Sequence, residues 1–143
     1  MKEYECKLRC FFKEGTYNLD VYSPNESRIG GGEDVIKYVF GENYVLLQTT
    51  WKIGSFPTTI FTSKFFTDGT FTQTDTSGRD VCGKWVIKCG KLCIEIEGVD
   101  FEGNRIKGRY NGYKVRCGYN QSYSQLENGK CKLEYNSKLR LKV

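Results

Sequence analysis

The sequence predicts an all-β fold, mostly antiparallel, in which roughly eight to ten strands in meander order close into a small barrel. Aromatic residues make up 15% of the 143 residues, with only two prolines and one methionine, a composition that favours strands over helices. Short alternating segments are separated by Gly-containing turn dipeptides, as in antiparallel hairpins. We expect closure because it removes exposed strand edges. The length indicates one domain, residues 1–143.

The first predicted elements are a hairpin, a helix and a strand. Residues 4–21 alternate loosely on both sides of a Glu-Gly turn, which predicts the hairpin. After a loop rich in Ser, Asn and Gly, residues 33–40 begin with two acids and carry apolar side chains three and four apart. Gly41 follows as a stop signal, so these residues predict the one short helix. Residues 44–53 then alternate as a strand.

Two hairpins between residues 60 and 97 carry the clearest strand signal. An Asp-Gly dipeptide at 68–69 is typical of a two-residue type I′ turn. A Gly-Lys dipeptide at 90–91 separates two further strand-like segments, and folding the chain about it places Trp85 opposite Ile96. This register predicts one apolar face and one charged face, so one side of the sheet meets a core and the other meets water.

Three more turn dipeptides follow, at 103–104, 111–112 and 128–129, and residues 138–143 alternate as a last strand. The registers about the first and third turns place opposite charges across the ladder, which is favourable. These pairings include Asp100 with Lys107 in the first hairpin. The second turn behaves differently.

A hairpin about residues 111–112 would hold two opposed cation pairs on one face, Lys107 with Arg116 and Arg109 with Lys114. Like charges directly opposite one another destabilise a ladder. Two interpretations stay open: Asp100, solvent and salt neutralise the cations, or an anionic ligand binds them, with nearby tyrosines as stacking partners. The candidate ligand-binding residues are Lys107, Arg109, Lys114, Arg116, Tyr110, Tyr113 and Tyr119.

The composition argues against catalysis and metal binding. The chain has no histidine, so the usual Ser–His and Cys–His arrangements are excluded. No C-x-x-C spacing occurs among the seven cysteines, which disfavours structural zinc. We therefore expect no enzyme, no cofactor and no metal. The thiols are reduced in a cytoplasmic protein, or the protein is secreted, its signal peptide removed, with disulfides among Cys6, Cys10, Cys93 and Cys131.

Three short motifs stand in order on the central hairpins: DGTF at 68–71, GKWVI at 83–87 and GKLCI at 90–94. Together they resemble small bacterial lipocalin-like domains of the calycin type, over roughly residues 60–98. The G-x-W within the second motif is also similar to the lipocalin signature. The resemblance implies a barrel with a mouth for a ligand, and it assigns no functional residue.

We therefore expect a non-enzymatic binding protein that captures an anionic small molecule or nucleotide, of which a sequestering inhibitor of signalling is one form. Residues 103–143 carry ten basic and two acidic residues, which supports an anionic partner. One alternative is a protein–protein inhibitor whose basic face, residues 105–116, binds an acidic partner. A single-stranded nucleic-acid binder ranks below both. No apolar run is long enough for a membrane span, so we expect no membrane partner.

Overall fold

The computed structural model describes residues 3–142, in which ten antiparallel strands form a closed barrel. Each strand pairs with its neighbours in the chain, and the last strand pairs with the first. The predicted all-β meander barrel with one short helix is confirmed. The elements are α1 (Glu3–Phe11), β1 (Gly15–Tyr22), β2 (Arg28–Phe40), β3 (Tyr44–Ile53), β4 (Thr59–Phe66), β5 (Thr70–Asp75), β6 (Asp80–Lys88), β7 (Lys91–Val99), β8 (Arg105–Val115), β9 (Gly118–Glu127) and β10 (Lys130–Leu141).

The helix lies at the N-terminus, and its predicted position at residues 33–40 is wrong. Those residues continue β2 and pair with both β1 and β3. Their β-branched side chains favour a strand once two neighbouring strands supply hydrogen bonds. Residues 4–11, predicted as part of a hairpin, belong to α1 instead, which has acids in its first turn and Arg9 in its last. No helix among residues 3–142 is long and apolar enough to cross a bilayer.

The N-terminal segment closes one end of the barrel. Leu8, Phe11 and Phe12 are buried, and the Phe11 and Phe12 rings lie 5.4 and 5.1 Å from the ring of Tyr119. The backbone at Gly112 makes room for this plug, since a Cβ there would stand 2.6 Å from the Phe11 ring. We call this the helix end. The far end carries the connections at residues 23–27, 54–58, 76–79, 100–104 and 128–129.

The turn predicted at residues 111–112 does not form, because β8 runs through it as one continuous strand. Both residues pair with β7 on one side and with β9 on the other. Neither has the positive φ that a type I′ turn requires. The chain reverses at 116–117 instead, between Val115 and Gly118. The predicted cation pairs therefore do not face one another.

The hairpin between β6 and β7 keeps its predicted faces but not its predicted register. Trp85 pairs with Ile94 instead of Ile96. The reason is that the turn falls at Cys89 and Gly90, which both have positive φ. A shift of two residues leaves each side chain on the same side of the sheet, so the apolar face still meets the core.

Loop length decides the remaining registers. The turn at 128–129 forms with the predicted pairs beside it, before a bulge shifts the ladder. The Asp-Gly turn widens to residues 67–69. The predicted 103–104 turn becomes a loop over 100–104, in which the Asp100 carboxylate accepts hydrogen bonds from two backbone N–H groups. Asp100 therefore organises its own loop and does not pair across the ladder with Lys107.

All seven cysteines are free thiols in the structure. The turns predicted at 90–91 and 111–112 would place Cys89 and Cys117 on the apolar faces of their hairpins, but both lie exposed in turns at the helix end. The shifted turn positions explain the difference, since both residues belong to the chain reversals rather than to the strands.

Close backbone contact at Gly83 predicts a large cost for a small substitution. A Cβ there would lie 1.7 Å from the carbonyl oxygen of Glu95 on the next strand. We expect Gly83→Ala to lower the free energy of unfolding by about 3 kcal/mol, measured by urea denaturation. The matched control is Gly30→Ala, whose Cβ would meet only the Ile53 side chain at 3.3 Å. Equal costs for the two variants would contradict the prediction.

Candidate functional site

Of the predicted ligand-binding residues, Lys107, Arg109 and Tyr113 lie on the outer wall of the barrel. Arg109 forms an exposed salt bridge with Glu95. Lys107 lies directly opposite Glu97 of β7. Positive charge on this wall is therefore matched by acids on the adjacent strand. Exposed pairs of this kind are weak, but they leave no concentrated positive field for an anion.

Tyr110 and Tyr119 point into the barrel, where they are buried. Both line a cavity of about 60 Å³, which we call the chamber. Both point inward because β8 is continuous and the chain turns at 116–117. These two features decide which alternate side chains of β8 and β9 face the interior. Aromatic and polar side chains share the walls of the chamber: Trp51, Phe61, Tyr135, Asp34, Gln73 and Gln121.

Arg79, from the connection between β5 and β6, spans the barrel at the far end. Its side chain is only 11% exposed. The guanidinium lies 3.4 Å from a carboxylate oxygen and donates hydrogen bonds to two tyrosine hydroxyls and two glutamine oxygens. These partners are Asp75, Tyr110, Tyr123, Gln73 and Gln125. Four of its five N–H donors have acceptors, while Nε–H has no hydrogen-bond partner among residues 3–142. The charge is paired with Asp75, so the side chain ties strands together rather than offering a free anion site.

Asp34 is a carboxyl group in the chamber wall with no exposed surface. Its Oδ2 accepts a hydrogen bond of 3.1 Å from the Trp51 indole N–H. Its Oδ1 has no hydrogen-bond partner among residues 3–142. Burial raises the pKa of Asp34 to about 8, although the Trp51 hydrogen bond and the nearby backbone N–H groups of Thr50 and Val35 act in the opposite direction. The carboxyl group is therefore mostly neutral at pH 7.

Neither Asp34 nor Arg79 was among the residues predicted to bind a ligand. The helix predicted over residues 33–40 places Asp34 in its first turn. Had residues 33–40 been assigned as a strand, period-two alternation would have placed Asp34 on the inner face with Ile36 and Tyr38. No local signal marks Arg79, because its partners lie on three strands, β5, β8 and β9, and only the tertiary structure brings β8 and β9 to it.

Lys114 and Arg116 lie at the helix end. A groove of about 730 Å³ runs there between α1 and the β6–β7 turn. We call it the lysine groove, because its walls carry Lys7, Lys13, Lys88 and Lys114. Among residues 3–142, no Asp or Glu lines it. Arg116 lies in the adjacent turn, outside the lining.

Within the lysine groove the cations are largely uncompensated. Lys7 lies 3.4 Å from Glu3 in an exposed pair. Among residues 3–142, Lys13, Lys88 and Lys114 have no ion-pair partner. Burial, together with repulsion from Lys13, lowers the pKa of Lys114. The structure therefore brings Lys114 together with cations from the N-terminal segment, not with the other residues predicted alongside it.

No known protein-family model matches this chain, and no curated protein sequence matches it.

Proposed function

We propose that this protein is a non-enzymatic binding protein that captures an anionic small molecule in the lysine groove. The observation that carries the proposal is that Lys13 and Lys114 line one groove, close enough for Lys13 to repel Lys114, and that no carboxylate of the described part of the chain lines it. The Lys114 ammonium group, which is partly removed from water and repelled by Lys13, gains when an anion binds between the two lysines.

The size of the groove supports a ligand as large as a nucleotide. Its volume of about 730 Å³ is within the range of roughly 300–1,000 Å³ that small-molecule pockets occupy. The exposed lining of the groove is mostly apolar, which suits the non-ionic part of such a ligand. Phosphate or carboxylate groups would meet the ammonium groups around them.

The two other places considered fit an anion less well. The chamber holds only about 60 Å³, and Arg79 beside it is already paired with Asp75. The outer wall, on which the protein–protein inhibitor alternative depends, has Glu95 and Glu97 among its basic side chains. We retain that alternative only as an outcome of the experiment below.

The family resemblance stays a proposal as well. A closed meander barrel is the architecture that a lipocalin-like domain of the calycin type requires, and Trp85 of the G-x-W motif donates a hydrogen bond of 2.9 Å to the carbonyl oxygen of Phe66.

We also propose a cytoplasmic location, because a reducing compartment keeps seven free thiols from pairing.

The test replaces both central cations, in the variant Lys13→Glu with Lys114→Glu. Two charge-assisted interactions of about 1.5–3 kcal/mol each are lost, so we expect nucleotide and polyphosphate binding to weaken at least about 100-fold. Isothermal titration calorimetry at fixed salt measures the change.

The matched control makes the same charge change on the outer wall, with Lys107→Glu and Arg109→Glu. It should leave affinity within about threefold. Loss of binding in the control alone would place the ligand on the outer wall and refute the proposal. If the unmodified protein binds none of the nucleotides and polyphosphates tested, the proposal that it captures anionic small molecules is refuted altogether.

A further inference from the structure

The chamber is a second candidate site, of opposite charge to the lysine groove. We infer that it binds a small alkylammonium cation, such as methylammonium, through the carboxylate of Asp34. This site is independent of the proposed function, since it lies inside the barrel and shares no lining residue with the groove.

The geometry of Asp34 carries the inference. The side chain has no solvent exposure, yet it lines the chamber. The Trp51 indole holds Oδ2 and so fixes the plane of the carboxyl group. Oδ1 is left without a partner among residues 3–142. A buried polar atom without a hydrogen bond is costly, and a ligand N–H is the group that would relieve it.

Aromatic rings around Asp34 favour a cation over a neutral donor. The Trp51 ring lies 5.8 Å from the rings of Phe61 and Tyr135. Asp34 also contributes to the raised pKa values of Tyr119 and Tyr135, after burial, so both phenols lie near it. Ring faces attract ammonium groups, and tyrosine oxygens can accept the N–H bonds that Oδ1 does not.

The size of the chamber selects the ligand class. A volume of about 60 Å³ leaves room for only a few water-sized groups, since one water needs at least about 10–15 Å³ of such space. The cation therefore has two or three non-hydrogen atoms. Ligands of that size bind at best in the millimolar range.

Binding is linked to proton release. At pH 7 Asp34 is mostly protonated, because burial raises its pKa to about 8. The cation binds the ionised form, so its affinity rises about tenfold per pH unit up to pH 8 and then levels off. The titratable groups that face Asp34 are Tyr17, Tyr119 and Tyr135, whose pKa values burial raises, so they stay neutral there. Arg79, beyond Tyr135, stays charged throughout.

The experiment is thermal denaturation of the full chain in 100 mM methylammonium chloride at pH 6.0, 7.0 and 8.5, against equal concentrations of sodium and potassium chloride. At pH 8.5 we expect methylammonium to raise Tm by about 4 °C. We expect a smaller rise at pH 7.0 and none at pH 6.0. Calorimetry in two buffers of different ionisation enthalpy should show a proton released on binding at pH 7.0.

Two variants complete the design. Asp34→Asn keeps the shape of the side chain but cannot ionise, and it should abolish the methylammonium effect while folding normally by circular dichroism. Lys13→Glu with Lys114→Glu should leave the effect unchanged, which separates this site from the groove.

Several outcomes overturn the inference. An equal Tm rise with potassium indicates a general cation effect. A rise that persists in Asp34→Asn places the cation elsewhere. Affinity that falls as pH rises through 8 means that protonated Asp34 donates to an acceptor on a different kind of ligand. No shift at any pH means that water alone satisfies Oδ1.

Discussion

Asp34→Asn should raise the free energy of unfolding at pH 7 by about 2–4 kcal/mol. The folded protein raises the pKa of this carboxyl from 3.8 to about 8 by burial. Its contribution to stability is therefore complete below pH 4 and is lost as pH rises to 8. Asparagine does not titrate, so the free energy of unfolding of the variant should exceed that of wild type by an amount that grows from pH 4 to pH 8. Urea denaturation across that range measures it.

The matched control is Asp68→Asn, at a turn. Asp68 is exposed, and hydrogen bonds from Thr70 lower its pKa. The sign is therefore reversed: the control should be slightly less stable than wild type at pH 7, and the loss should disappear in acid. A pH-independent difference for Asp34→Asn would show that the carboxyl is not protonated in the folded state.

Arg79→Met should lower the free energy of unfolding by about 3–5 kcal/mol. The substitution keeps a long apolar side chain but removes the guanidinium, which leaves Asp75 buried at 3% exposure without its cation. Hydroxyl groups of Tyr110 and Tyr123 lose a donor at the same time. Chemical denaturation of the variant at pH 7 measures the loss.

An exposed pair provides the control for that prediction. Arg28 lies 3.0 Å from Asp20, with side-chain exposures of 58% and 42%, so Arg28→Met should cost less than about 1 kcal/mol. Adding Asp75→Asn to Arg79→Met should cost less than the sum of the single substitutions, because the unpaired carboxylate is gone. Similar losses in Arg28→Met and Arg79→Met would argue against a special role for the network.

Fold class was predictable because it rests on local features. Alternation over a few residues decides which side chains share a face, and Gly-containing dipeptides mark chain reversals. The faces of the β6–β7 hairpin survived a register error of two residues for this reason. Residues 33–40 failed because a short segment with apolar spacing satisfies helix and strand patterns equally well, and pairing with β1 and β3 decided between them.

The candidate sites were much less predictable. Lys114 is the one predicted residue that lines the lysine groove, and two of its neighbours there, Lys7 and Lys13, come from the opposite end of the chain. The Asn-Gly dipeptide at 111–112 misled the prediction, since its turn preference is weaker than the hydrogen bonds of two flanking strands. The cations predicted on one face of a hairpin were thereby distributed over an outer wall and a barrel end.

By itself, the sequence determined an antiparallel meander whose hairpins separate a core face from a solvent face, since both are consequences of contacts within a few tens of residues. Only the tertiary structure decided where charge remains without a partner. Closure of β10 on β1 and docking of α1 brought lysines from distant segments to one end. The same closure placed Asp34 in the interior. The free energy of a charged group depends on its burial and on its hydrogen-bond and ion-pair partners. Both are set by residues far away in the chain, so local sequence patterns do not determine them.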